Sequence, residues 1–334
     1  MPSTPYRARI SALGSYVPPR LLTNDDLSKM VDTTDEWIRT RTGIAERHLV
    51  EPGMATSDMA VAAARACLAE RGFDPARLRM LILATVTPDM MFPSTACLVQ
   101  QKLGAEKCWG FDLSAACSGF LYALTTGAQM IAAGVIEHVL VIGADTMSSI
   151  IDYQDRATCV LFGDGAGAVL LERAEPGDEN GFLDFVHQIE GEGAAYLYMP
   201  AGGSRCPASQ ETVAKRMHYV HQEGQQVFKY AIRKMYELCK EILDRNRITP
   251  DQLDCFIPHQ ANQRIITATG ERLGLDPEKI IINIGRYGNT TAGTIPLAMA
   301  EARRRGLLRP GSLVLLAAVG AGYTAGATLL RWSV

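Results

Sequence analysis

Three segments of the first half of the chain recur, in the same order, in the second. FDPARLRMLILAT (73–85) resembles ITPDQLDCFIPHQ (248–260), 175 positions on at the proline. CSGFLYALTTGAQMIAAGVIEHVLVIGA (117–144) aligns with NTTAGTIPLAMAEARRRGLLRPGSLVLLAAV (289–319), 172 positions on at its first residue. GAGAVLLER (165–173) echoes TAGATLLRW (324–332) at an offset of 159, which leaves about 13 extra residues in the first half near 147–161. An ordered recurrence of this kind restricts the fold to duplicated architectures. It predicts two similar halves, 1–174 and 175–334.

Within each half, short apolar runs alternate with helical patterns. LRMLILATV (78–86) and HVLVIGAD (138–145) read as buried strands. The stretches 57–71 and 118–133 read as helices, the second ending at Gly134. Strands alternating with helices predict an α/β fold. At 334 residues and 47% hydrophobic content, the chain can bury a large core.

The remaining totals exclude more than they assign. A formal charge of -3 argues against a general nucleic-acid binder but allows a local basic patch. The eight cysteines form no C-x-x-C pair and no zinc-finger spacing, so no metal site is expected. The stretch MPSTPYRARISALGSYVP lacks the apolar core of a signal peptide, and no apolar run is long enough to span a bilayer. The expectation is a cytoplasmic protein with reduced thiols and no membrane or nucleic-acid partner.

The duplication also locates a candidate site. Aligned this way, Cys117 and Asn289 take equivalent places, each at a helix start. His259 follows the strand-like DCFIP and corresponds to about Ala84. Ligands of α/β sheets sit beyond the carboxyl ends of strands, so three such groups could converge. Each also has a plainer explanation. Cys117 read from its neighbours alone is a small buried residue, the usual fate of a free cysteine. Alternatively, Ser118 and Gly119 suit a helix start, whose free N–H groups favour a thiolate and can hold an oxyanion. His259 could face solvent in a loop, but Gln260 and Asn262 beside it make it a better candidate than the other five histidines. Asn289 in YGNTTAG fits ordinary turn chemistry.

Two further features are discounted. In FGDGAGAVLL (162–171) the glycines precede a strand rather than a helix, so no dinucleotide site is read there. ARRRG (302–306) and AIRKM (231–235) read as solvated helix faces.

AACSGF, PHQAN and GNTTAG, in this order, resemble the β-ketoacyl-acyl-carrier-protein synthase III family of the thiolase superfamily. VDTTDEWIRTRTGIAERH (31–48), FPSTAC (92–97), DRATCVLFGDGAGAVLL (155–171) and PAGGSR (200–205) extend the resemblance over nearly the whole chain. It implies a thiolase-like five-layered αβαβα fold of two pseudo-equivalent halves. It implies a catalytic trio of Cys117, His259 and Asn289. Elongating condensing enzymes carry Cys-His-His and thiolases a second catalytic cysteine, so the asparagine argues against both.

The implied reaction is a decarboxylative Claisen condensation. Cys117 takes the acyl group from an acyl-CoA, acetyl-CoA favoured, as an acyl-cysteine. Malonyl-acyl carrier protein then loses CO2 and attacks, giving the 3-oxoacyl-acyl carrier protein that initiates fatty-acid synthesis. His259, through Nε2–H, and Asn289 would donate to the enolate oxygen. The backbone N–H groups of Cys117 and Ala321 would form the oxyanion hole, Ala321 standing in GAG where the family has a G-G-G-type loop. Thr33, Trp37, Arg41, Arg156, Gln225 and Asn262 match CoA contacts, Trp37 and Arg156 sandwiching the adenine. Asparagine is common in the family where Gln225 stands. Lys229 and Arg264 match positions that meet the acidic acyl carrier protein. Phe92 matches a residue that lines the partner's acyl pocket across a homodimer, and its large ring implies a short primer. No cofactor is implied, because the CoA thioester is a substrate.

Three other readings remain. A related condensing enzyme could supply a polyketide or other specialised starter with the same trio. Papain-like hydrolases share Cys-His-Asn but lack the duplication. A non-catalytic acyl-CoA-binding scaffold would have no need of the intact trio.

Overall fold

The computed structural model describes residues 6–334; the first five residues of the N-terminal stretch read above lie outside the described residues. Two sheets organise the chain. The first contains β1 (Ala8–Tyr16), β2 (Met80–Ala84), β3 (Trp109–Leu113), β4 (His138–Asp145) and β5 (Gly165–Arg173), in the order β1-β5-β4-β2-β3. β4, β2 and β3 run parallel, while β5 is antiparallel to both of its neighbours. The second contains β6 (Gly181–Ile189), β7 (Cys255–Pro258), β8 (Leu313–Gly320) and β9 (Thr324–Arg331), in the order β7-β8-β9-β6. Only β7 and β8 pair parallel there.

Seven helices carry the packing and the site: α1 (Asp35–Thr42), α2 (Thr56–Arg71), α3 (Thr95–Leu103), α4 (Gly119–Ala132), α5 (Gly224–Asn246), α6 (Gln263–Leu273) and α7 (Thr294–Arg304). Alternation along the strands sorts them into layers, because successive side chains point to opposite faces. Leu81, Leu83, Leu140 and Ile142 pack outward against Met59, Ala63 and Val99 of α2 and α3. Ile82 and Val141 point inward, as do Val314 and Leu316 of the second sheet, onto Leu124 and Ile295 of α4 and α7. Phe256, Leu315 and Leu329 face Leu238, Ile242 and Ile266 of α5 and α6. The result is five layers, α–β–α–β–α. Both faces of each sheet are covered, which is why these strands read as unbroken apolar runs. Each fully buried Leu, Ile or Phe contributes roughly 1.5–3 kcal/mol.

The strand at 138–145 and the two expected helices lie where the pattern put them, to within a residue or two. The repeat itself needs a correction. The proline turns at Pro75 and Pro250, the starts of α4 and α7, and the starts of β4 and β8 are all 175 positions apart. Cys117 therefore corresponds to Ala292, not to Asn289, which lies three positions earlier. α4 has 14 residues and α7 has 11, but the connection after α7 is longer by the same three (305–312 against 133–137), so no net gap separates the helix starts from the strands. The offset of 172 at Cys117 is therefore three residues short. For the same reason the connection 146–164 exceeds its counterpart 321–323 by sixteen residues rather than 13.

Candidate active site

The parallel strands end on one side of the first sheet, and the chain turns there. Residues Ala116–Ser118 form a single tight turn between β3 and α4. Thr291–Gly293 form the matching turn before α7, and the two turns pack together. Each opens with a non-glycine residue in the left-handed region, Ala116 at φ 47 and Thr291 at φ 51. Such residues cost of order 1–3 kcal/mol and persist only where the surroundings hold them.

Cys117 sits in the middle of its turn, 7% exposed. Neither its N–H nor that of Ala321 is taken by a backbone carbonyl in the turns that carry them. Gly320 at the end of β8 packs directly on this turn. A Cβ there would lie 2.7 Å from Cys117 N and 3.1 Å from Ser118 N, so only glycine fits. Two N–H groups on adjoining turns that no carbonyl takes can receive a developing oxyanion.

His259 follows β7, and its N–H donates to the Ala317 carbonyl (2.7 Å). The ring is 1% exposed. Nδ1 lies 2.6 Å from Thr294 Oγ1, and that hydroxyl lies 3.1 Å from the Thr291 carbonyl oxygen. A carbonyl can only accept, so the hydroxyl donates to Thr291 and accepts from Nδ1–H. Nε2 is left as a bare lone pair, buried and without a partner. Burial also pushes the ring down to about 3, so it is neutral. In this tautomer Nε2 donates only after it has taken up a proton.

Asn289 is 6% exposed and is held from both sides. Its N–H donates to Leu161 O (2.8 Å), and its carbonyl accepts from Gly163 N (3.1 Å). Oδ1 accepts from Thr291 N (2.9 Å), which fixes the flip of the amide and leaves Nδ2 to donate elsewhere. The contacts that hold it come from the 146–164 insertion, not from equivalence with Cys117.

The thiol departs from expectation. Burial pushes Cys117 up to about 12, and the Asp145 carboxylate adds to the rise; its own backbone N–H opposes it only in part. The helix start does not by itself deliver a resting thiolate.

Trp37, on α1, is flanked by two guanidiniums, Arg41 and Arg156, each 5.1 Å from the ring centroid. Arg156 stacks on the ring itself and donates to Asp32 O (2.9 Å), so an adenine between the two would displace it. Thr33 Oγ1 nearby is buried without a partner. Asn262 caps α6 through Arg264 N and donates to Arg41 O (3.0 Å), tying α6 to the end of α1. Gln225 is exposed in the first turn of α5 and makes no side-chain hydrogen bond among the described residues. Lys229 borders a 330 Å³ cavity with Tyr196 and Tyr230. Arg264 borders another of 330 Å³ with Arg39 and Gln263, and stacks on Phe228. Phe92 is 85% exposed, beside exposed Met90 and Met91. A cavity of 850 Å³ bordered by Arg9, His138 and Arg173 lies at the opposite end of β4 from this site.

Three residues of the site were not picked out from the sequence: Asp145, Thr294 and Gly320. Asp145 alone gave a signal, as a carboxylate closing the apolar run HVLVIGAD. Among the described residues no group of three or more His, Cys, Asp or Glu could hold a metal ion, and no helix is long and apolar enough to cross a membrane.

Both halves of the chain match known proteins. Residues 111–191 match the family model of 3-oxoacyl-[acyl-carrier-protein] synthase III, and residues 243–332 match that of its C-terminal part. The chain is 64% identical to the beta-ketoacyl-[acyl-carrier-protein] synthase III of Koribacter versatilis, over 98% of each chain. It superposes on the crystal structure of the 3-oxoacyl-[acyl-carrier-protein] synthase III of Aquifex aeolicus with a TM-score of 0.90, at 44% identity, covering 97% of this chain and 100% of that one. It is also similar to the priming beta-ketosynthase of the R1128 polyketide pathway, with a TM-score of 0.89, at 33% identity and 98% coverage of both chains. The thiolase-like α/β fold and the matches along both halves agree: the chain belongs to the 3-oxoacyl-[acyl-carrier-protein] synthase III family.

Proposed function

We propose that this protein condenses a short acyl-CoA, acetyl-CoA foremost, with malonyl-acyl carrier protein, giving a 3-oxoacyl-acyl carrier protein, CO2 and CoA. The observation that carries the reading is the bare, buried Nε2 of His259, in a family member whose Cys117 is held in a strained turn. As Cys117 Sγ attacks the thioester carbonyl, its proton passes to Nε2. The oxyanion is held by the N–H groups of Cys117 and Ala321. CoA leaves as its thiolate and takes a proton from solvent, and Sγ keeps the acyl group. Malonyl-acyl carrier protein then binds and its carboxylate leaves as CO2. The enolate oxygen that develops is met by Nε2–H of His259 and Nδ2–H of Asn289. The carbanion attacks the acyl carbonyl, the C–S bond to Cys117 breaks, and Sγ recovers the proton from Nε2.

Trp37, Arg41, Arg156, Thr33, Gln225 and Asn262 are proposed to hold CoA, and Lys229 and Arg264 to meet the carrier protein. Planar guanidiniums on an aromatic ring suit a base and its phosphates. The halves 1–174 and 175–334 then supply the nucleophile and the His-Asn pair respectively. A homodimer is proposed through β3, an edge strand whose residues are only partly covered. Asp112 on that strand accepts from Thr95 N and Ala96 N, each at 2.7 Å, which sets the Phe92 loop beside the same edge.

The test is intact mass after incubation with acetyl-CoA, for wild type and Cys117→Ser, followed by malonyl-acyl carrier protein. Gain of one acetyl group by the wild type alone, lost again with CO2 release, is the expected result. A tag of equal size on the Ser variant would overturn it. One observation favours a second reading: Cys117 is largely buried, as in an acyl-CoA-binding scaffold. Binding with no acyl tag across a panel of acyl-CoAs would select the scaffold.

A further inference from the structure

β4 is apolar from its second residue until its last, Asp145, which is 0% exposed. A carboxylate there must be satisfied by donors or it would not stay ionised. Asp145 has four. Oδ1 accepts from Thr85 Oγ1 (3.0 Å), Val86 N (2.8 Å) and Thr87 Oγ1 (3.0 Å). Oδ2 accepts from Ala292 N (3.0 Å). None of the four is a cation.

The donors come from two places that no other hydrogen bond joins among the described residues. Thr85, Val86 and Thr87 follow β2 in the first half. Ala292 belongs to the turn after Asn289 in the second. Backbone packing at the same point is equally close: a Cβ on Gly143 would lie 2.2 Å from the Ala292 carbonyl oxygen. Further along, Thr87 Oγ1 accepts from Thr146 N (2.8 Å), and Thr56 Oγ1 lies 2.8 Å from Thr146 Oγ1. The carboxylate thus rests in a buried cradle of hydroxyls and reaches out of it by one oxygen only.

We infer that Asp145 is a positioning residue: its carboxylate locks the Asn289-bearing turn of the second half onto the strand ends of the half that carries Cys117. The inference rests on the condensation proposed above and names a group that works through Asn289 rather than on the substrate. The same negative charge lies close enough to Cys117 to raise its thiol, second only to burial. Between turnovers it would keep Sγ protonated, so that the sulfur becomes nucleophilic only as His259 takes the proton.

Asp145→Asn keeps the shape but cannot keep the lock. Donors face both carboxylate oxygens, and an amide offers one acceptor and one NH2. Either Ala292 N–H or the Val86 and threonine donors must face a second donor. Three measurements separate positioning from mere structure. Acylation of Cys117 by acetyl-CoA is followed by intact mass, condensation by CO2 release, and the pH dependence of Cys117 alkylation by iodoacetamide by peptide mapping. In the variant, kcat for condensation is expected to fall about tenfold or more relative to acylation, the equivalent of one misplaced hydrogen bond. The alkylation profile is expected to move to lower pH.

Loss of both half-reactions in proportion to lost folded protein, or no change in their ratio with an unmoved alkylation profile, would overturn the inference. If Asp145→Asn does not fold, Thr85→Val and Thr87→Val each remove one donor and leave the charge in place. A fall in condensation with acylation retained supports the lock, and no fall in either variant sinks it. Should the wild type take no acyl group from any acyl-CoA, the condensation reading fails. The alkylation profile needs no substrate, and an unmoved profile in Asp145→Asn would still rule out the charge effect on Cys117.

Discussion

His259 Nδ1 and Thr294 Oγ1 lie 2.6 Å apart, and the hydroxyl passes the contact on to the Thr291 carbonyl. The first residue of a helix in the second half therefore sets which nitrogen of the buried imidazole is bare. Thr294→Val removes the acceptor for Nδ1–H and lets the ring take the other tautomer. Turnover is expected to fall about tenfold or more, with about 1 kcal/mol of stability lost. Thr294→Ser keeps the hydroxyl and should retain most of the rate. The comparison to make is kcat against pH for both variants beside their melting temperatures. Equal rates for Val and Ser would remove the tautomer role.

Gly320→Ala tests the backbone side of the site. The new methyl would lie 2.7 Å from Cys117 N, against backbone that cannot rotate away. The turn must shift, at a cost of about 1–3 kcal/mol. Loss of alignment of one oxyanion donor lowers kcat by about 10²–10³. Thermal unfolding and the acyl-tagging rate at saturating acetyl-CoA check the two parts separately. A normal tagging rate in a folded variant would mean that the Cys117 N–H takes no part.

Much of this was legible beforehand because burial writes itself into sequence. Strands covered on both faces are apolar throughout, so 138–145 could be read to the residue. The duplication predicts two similar α/β halves, while the five layers come only from the family resemblance. What was misread followed from geometry that sequence does not carry. Asn289 aligns with Cys117 only at an offset of 172, whereas the proline turns, helix starts and strand starts all keep 175, which makes Ala292 the counterpart. Asn289 is instead held by Leu161 and Gly163, residues of the insertion and more than a hundred positions away. Likewise a helix start suggested a low thiol pKa. Full enclosure and a neighbouring carboxylate, neither visible as a motif, push it the other way. Thr294 looked like any helix-starting threonine until the imidazole was found against it.

Asp145 gives a pH prediction whose sign can be worked out. Burial raises its carboxyl from 3.8 to about 6 despite its four donors. The folded state therefore binds the proton more tightly than the unfolded chain. The stability this contributes is fully present below about pH 4 and is lost as pH rises through 6. The difference amounts to about 3 kcal/mol. Asp145→Asn has no such titration. The stability of the variant relative to the wild type should improve by up to that amount between pH 4 and pH 7, by urea unfolding at each pH. A constant difference across the range would show that Asp145 ionises in the folded protein as it does in the unfolded one.

Phe92 offers the sharpest test of the proposed dimer, because its surroundings within one chain give it nothing to do. It is 85% exposed, next to Met91 at 80%. Three large apolar side chains in a row on a loop beside an unpaired strand edge are costly to leave in water. In a monomer, Phe92→Ala would change stability by no more than about 0.5 kcal/mol, as for most surface positions. If the ring instead fills the partner's acyl pocket, its removal leaves room at the far end of that pocket. The variant should then keep its turnover of acetyl-CoA within a few-fold and gain on longer acyl-CoAs, so that the ratio of kcat/KM between a long and a short primer rises. Light scattering of the wild type should give twice the chain mass. A monomer by scattering, or an unchanged primer ratio in a folded Phe92→Ala dimer, would leave the ring without the proposed role and turn the limit on primer length back to residues around Cys117.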